Sequence, residues 1–93
     1  MAELVPGRAT DIMIRARAFG ESRVVCGLHN ASAIEAGRMI AGSVAAALHG
    51  NAAFRSDLEA ARTEIAGLRA AAEPLEKSPM CTAESEMLAK PLY

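Results

Sequence analysis

Aromatic side chains are nearly absent: the 93 residues hold no tryptophan, one tyrosine and two phenylalanines, 3% in all. That excludes a core or a stacking platform built on large rings. Hydrophobic residues make up 52% of the chain, but much of that share is alanine, and a core of Ala, Gly, Met and a few Leu and Ile packs thinly. Charge of one sign is also missing. Ten basic residues against eleven acidic ones leave a net charge of −1, too little positive field for a polyanion binder, so nucleic acid is not an expected partner. No apolar run approaches the length of a membrane span, and Met1 to Arg8 mixes acid and base where a leader needs an uninterrupted apolar stretch. Neither export signal nor transmembrane helix is therefore expected within these residues. Two cysteines, Cys26 and Cys81, define no disulfide framework and leave the redox compartment open.

What is present is helical patterning. Ile12, Ala16 and Phe19 recur at helical spacing after Pro6-Gly7, with Asp11 four residues ahead of Arg15 for a surface pair. A first helix is predicted over about residues 7–21, its last turn weakened by Gly20, with Val24-Val25 as a brief continuation before Gly27 breaks it. Ser32-Ala33-Ile34-Glu35 has the form of a capping box, which starts a second helix near Ser32. That helix is apolar nearly all round through Leu48, which predicts a buried central helix, with Gly37 and Gly42 allowing close approach of its neighbours. Gly50 ends it after His49, a cation at a helix C-terminus, and Asn51 caps the next.

The third helix shows the cleanest period. Phe54, Leu58, Ala61, Ile65 and Leu68 step by four and three, an amphipathic stripe ending around Ala72 before Pro74. The stripe is too short for a coiled-coil seam and is expected to pack on the second helix. The fold class is thus all-α: a three-helix unit over residues 1–72 and a loosely structured tail over 73–93, with one short helix at Thr82 to Ala89.

Reactive groups concentrate between the first two helices, in Glu21-Ser22-Arg23-Val24-Val25-Cys26-Gly27-Leu28-His29. An imidazole just ahead of a helix N-terminus, with a guanidinium six residues earlier across a glycine, suits a bound anion, and a phosphoryl group is the natural guest. A neutral imidazole there can act as nucleophile if one group orients its other nitrogen and another protonates the leaving oxygen. Cys26 and His29 have the spacing of half a zinc site, but only Cys81 and His49 remain as further ligands, so no metal or other cofactor is expected.

The run from Gly20 to His29, followed by Ser32 and Glu35-Ala36-Gly37-Arg38, resembles the last signature of the bacterial class A nonspecific acid phosphatases. These belong to the type 2 phosphatidic acid phosphatase and vanadium haloperoxidase superfamily. Ser22, Arg23 and His29 fall on the first three fixed positions of the family pattern SRxxxxxHxxxD. Leu4-Val5-Pro6, the alanine-rich helix to His49, Asn51 to Phe54 and Cys81 to Glu84 also resemble the family. The resemblance implies that the chain corresponds to the C-terminal part of a larger helical phosphatase fold. It implies that His29 is the nucleophile of a phosphohistidine intermediate, Arg23 a ligand of phosphate oxygens and Ser22 a support of the pocket, with a phosphomonoester as substrate. Family members are typically periplasmic, which would also allow Cys26 and Cys81 to pair.

Two departures qualify what carries over. The family aspartate that orients the histidine is Ala33 here, and the blocks KxxxxxxRP and PSGH, which supply further cations and the acid, do not occur. The expectation is an acid-phosphatase-like chain that keeps a phosphate-binding corner but is inactive alone. The alternative is a noncatalytic helical module that self-associates into a homo-oligomer through exposed faces of the second and third helices.

Overall fold

The computed structural model describes residues 1–76 and 78–90, so position 77 and the last three residues of the expected tail lie outside the described residues. Over that range the chain is helical: a 3-10 turn at Pro6–Arg8, then α1 (Ala9–Val25), α2 (Ala31–His49), α3 (Ala52–Ala71) and α4 (Pro79–Leu88). Among the described residues there is no strand, and no helix is long and apolar enough to cross a membrane.

Pro6 opens the first turn, where its missing N–H costs nothing. α1 then runs without interruption through Gly20 to Val25, so that Val24 and Val25 are its last residues. The glycine does not weaken the helix into a stop because it marks the crossing with α2. A Cβ at position 20 would lie 3.0 Å from Ile34 Cγ2 and 3.5 Å from the Arg38 guanidinium. The expected Asp11–Arg15 pair does not form: Asp11 accepts from Arg8 Nε at 2.7 Å, and Arg15 forms a two-pronged pair with Glu84 on α4.

The start of α2 also differs from the capping-box expectation. Asn30, not Ser32, is the N-cap: its Oδ1 accepts from the Ala33 amide at 2.8 Å and from the Ser32 hydroxyl at 2.9 Å. Glu35 turns away and pairs with Arg38 one turn on. An amide oxygen in extended backbone caps as well as a hydroxyl does, and Asn30 sits where the chain first enters helical geometry. α3 follows its prediction closely, with Asn51 Oδ1 accepting from Phe54 N–H at 3.0 Å.

The short helix expected at 82–89 begins three residues earlier. Ser78 caps it and Pro79 occupies its first position. It is docked on α1 by the Arg15–Glu84 pair and by Arg17, whose guanidinium donates to the Leu88 carbonyl at 3.0 Å.

The prediction that fails outright is burial. Among the described residues no hydrophobic side chain is buried, and α2, with only Ile34, Ala36 and His49 half-buried, is mostly exposed instead of central. The molecule is a slab of 38 × 38 × 18 Å with a radius of gyration of 16.2 Å, where a compact chain of this length has about 12 Å. Its accessible surface is 7346 Å², against roughly 5,100 Å² for a folded monomer of this mass. With α1 along one edge of α2 and α3 after it, no layer remains to cover the rest of α2. The glycines follow suit, since a Cβ at Gly37 or Gly42 would meet nothing within 4 Å.

Candidate functional site

Ser22 and Arg23 occupy the last turn of α1, and His29 stands immediately before the Asn30 cap of α2. Between them the backbone closes a Schellman motif. Leu28 N–H donates to the Arg23 carbonyl at 2.9 Å and Gly27 N–H to the Val24 carbonyl at 2.9 Å, with Cys26 as the C-cap. Gly27 takes φ +69°, the left-handed region that favours glycine, and it is the one described residue that does so. The His29 amide also donates to the Arg23 carbonyl, at 3.1 Å. The turn therefore ties the backbone of the predicted cation to the backbone of the predicted nucleophile.

The side chains are held differently. Ser22 Oγ donates back to the Phe19 carbonyl at 2.7 Å and accepts from Arg23 Nε at 3.4 Å, while the Arg23 guanidinium lies over the Phe19 ring, 5.0 Å from its centroid. Ser22 and Arg23 thus form one unit on α1, braced by an aromatic face. His29 is exposed. Position 33, on the first turn of α2, offers only a methyl group, and Glu35, the nearest following carboxylate, is engaged by Arg38. The imidazole thus gains no carboxylate from either position to fix its tautomer.

The second histidine is remote. His49 ends a 19-residue helix, about 27 Å along the axis from its start. Its Nε2 lies 2.7 Å from Glu3 Oε2, and its ring meets Phe54 edge-on at 5.5 Å. Cys26 and Cys81 are both free and exposed. Among the described residues no three His, Cys, Asp or Glu side chains gather as a metal site would require.

Sequence reasoning missed the buried carboxylate next to the site. Glu21, 4% exposed, is the one buried charged residue described, and Arg17 Nε approaches it at 3.3 Å without forming a hydrogen bond. The i, i+4 spacing of Arg17 and Glu21, like that of Phe19 and Arg23, was the available signal. Arg17, Glu21, Ser22, Val25, Cys26 and Leu88 line a groove of about 350 Å³ between α1 and α4, so α4 lies alongside the face of α1 that carries Ser22. Glu84 on α4 has its carboxyl held below the usual carboxylate range by the hydrogen bonds from Arg15.

No family model and no solved structure matches the chain. Curated proteins do. An acid phosphatase of Zymomonas mobilis is 47% identical over 72 residues, 77% of this chain and 27% of the relative. Non-specific acid phosphatases of Providencia stuartii and Salmonella typhimurium are 36% and 37% identical over 69 and 65 residues, covering 74% and 70% of this chain and 28% and 26% of their own lengths. Together with the Ser22, Arg23 and His29 pattern, these matches are consistent with the chain corresponding to a C-terminal segment of a bacterial class A non-specific acid phosphatase, about a quarter of the length of the relatives it matches.

Proposed function

We propose that the α1–α2 turn is a phosphate-binding corner of an acid-phosphatase-like protein, and that these 93 residues alone hydrolyse phosphomonoesters negligibly. The observation that carries the reading is the Schellman turn, which bonds the Leu28 and His29 amides to the Arg23 carbonyl and so fixes the start of α2 beside the end of α1. In that frame Arg23 supplies a planar fork for two phosphate oxygens, and Ser22 holds the guanidinium at its Nε edge. His29 is the nucleophile of the full reaction. A ring nitrogen forms the N–P bond as the ester P–O bond breaks, and the departing oxygen takes a proton from a general acid.

Two requirements of that step have no donor here. Ala33 cannot accept the second imidazole hydrogen, and no KxxxxxxRP or PSGH block is available to bring the acid and further cations. Losing one member of a cooperating catalytic unit already costs orders of magnitude in rate. The corner is therefore a binding site for phosphate or a phosphomonoester, with turnover at background. Titration with phosphate or vanadate, followed by the His29 ring resonances, is expected to saturate in the wild type and to vanish in Arg23→Ala. Absence of any Arg23-dependent binding refutes the site, and turnover of an aryl phosphate that His29→Ala abolishes refutes the inactivity.

A further inference from the structure

Gly20 lies inside α1, where glycine costs more than any residue except proline. Its neighbours give the reason. A Cβ at this position would stand 3.0 Å from Ile34 Cγ2 and 3.5 Å from the Arg38 guanidinium. The second distance is ordinary contact with the free end of a long side chain, which can swing aside. The first leaves no such escape, because Cγ2 is bonded to the Ile34 Cβ and a β-branched side chain on a helix holds to one χ1 rotamer. The methyl group retreats only if the backbone of α2 retreats with it. Of the described glycines within α1, α2 and α3, Gly20 is the one whose missing Cβ would meet a neighbouring helix; at Gly37, Gly42 and Gly67 it would meet nothing within 4 Å.

This crossing stands beside the α1–α2 turn. Gly20 precedes Arg23 by three residues and so neighbours it on the helix surface, and Ile34 closes the first turn of α2 after the Asn30 cap. Arg23 is held to α1, by Ser22 Oγ 3.4 Å from its Nε and by the Phe19 ring 5.0 Å from its guanidinium. His29 is held to α2, directly ahead of the cap. The separation of the two side chains is therefore a separation of two helices. The Schellman turn fixes one point of it, through the Leu28 and His29 amides on the Arg23 carbonyl. One point is a hinge and leaves the angle open. The Gly20–Ile34 contact, about 6 Å along α2 from the cap, is the second point and closes the angle.

We propose that Gly20 is a positioning residue for the phosphate corner: its Cβ-free contact with Ile34 sets how closely α2 approaches α1, and through that the reach between the Arg23 fork and the His29 imidazole. The inference rests on the reading of the α1–α2 turn as a phosphate site. A methyl group added at position 20 has to relax a 3.0 Å approach to an ordinary carbon–carbon contact of about 3.5–4.0 Å. The first turn of α2 then moves off α1 by about 0.5–1 Å. A site that grips its ligand from two sides has to be held within about 0.5 Å of its working geometry, so the corner opens past the point where Arg23 and His29 both reach one phosphate.

Titration with inorganic phosphate, followed by the His29 ring resonances, tests this in the wild type, Gly20→Ala, Ile34→Leu and the double variant. Gly20→Ala is expected to bind phosphate about tenfold more weakly while its helix content stays equal or rises, since alanine is the better helix former. Ile34→Leu keeps the side-chain volume but carries no methyl group on its Cβ, so it makes room for the added group. Alone it is expected to bind close to the wild type, and in the double variant to restore most of the lost affinity. Without phosphate, the Leu28 and His29 amide resonances, which report their bonds to the Arg23 carbonyl, are expected to move in Gly20→Ala and to return in the double variant. A glycine that serves stability alone gives neither the rescue nor the return. Equal affinity in the wild type and Gly20→Ala overturns the proposal, as does a loss that Ile34→Leu fails to repair. A wild type without Arg23-dependent phosphate binding is a different result: it refutes the corner itself, and the proposal with it.

Discussion

The start of α2 is the point at which one substitution separates two physical accounts of the same turn. Asn30 Oδ1 accepts from the Ala33 amide at 2.8 Å and from the Ser32 hydroxyl at 2.9 Å. Asn30→Ala removes the cap and leaves the Ala33 amide to water, a loss of about 1 kcal/mol for a solvent-exposed N-cap, or about fivefold in the folded-to-unfolded ratio. Ser32→Ala keeps the amide bond, forfeits one exposed hydroxyl contact and gains helix propensity, so its effect is expected to stay within about 0.5 kcal/mol. Glu35→Ala loses only the surface pair with Arg38, worth about 0.3 kcal/mol. A capping box formed by Ser32 and Glu35 gives the reverse order. Urea unfolding followed by far-ultraviolet ellipticity, at one fixed protein concentration so that association does not enter, ranks the three variants. A midpoint lowered more by Ser32→Ala than by Asn30→Ala refutes the assignment of Asn30.

Gly27→Ala is expected to cost about 1–2 kcal/mol from backbone strain alone, since φ is +69° and a Cβ there would meet nothing within 4 Å; an unchanged urea midpoint contradicts the Schellman turn. Acidification is expected to undock α4. Because Arg15 depresses the folded-state pKa of Glu84, the pair's stabilisation is present above the ordinary carboxylate pKa and is lost as pH falls through the lower, folded one. Protection of the amides along residues 79–88, taken relative to the intrinsic exchange rate at each pH, should fall over that window and should show no such fall in Glu84→Gln. Ala33→Asp is expected to raise stability by about 0.5 kcal/mol by placing a negative charge in the first turn of α2, and to leave aryl-phosphate turnover at background because the leaving oxygen still lacks an acid. Turnover appearing in that variant shows that the missing orienter was the whole defect.

The sequence by itself determined what local physics controls. Periodicity placed the three long helices, Asn51 announced its own cap, and Gly27 marked the break before His29, because helix propensity, capping and left-handed backbone depend on neighbours within about one turn. The resemblance to acid phosphatases was likewise legible in the sequence, and acid phosphatases do match the chain. Rival local options were not separable from spacing alone. Asn30 and Ser32 could each cap α2, and Arg15 could pair with Asp11 or with a residue nearly seventy positions away, until the backbone path brought Glu84 to it. Only the tertiary structure decided burial. An apolar α2 reads as a core helix, but burial needs a second layer, and a slab 18 Å thick has none to give. The same geometry sets Ser22 and Arg23 as a braced pair on α1, leaves His29 attached to them through the backbone alone, and turns the apolar face of α2 outward.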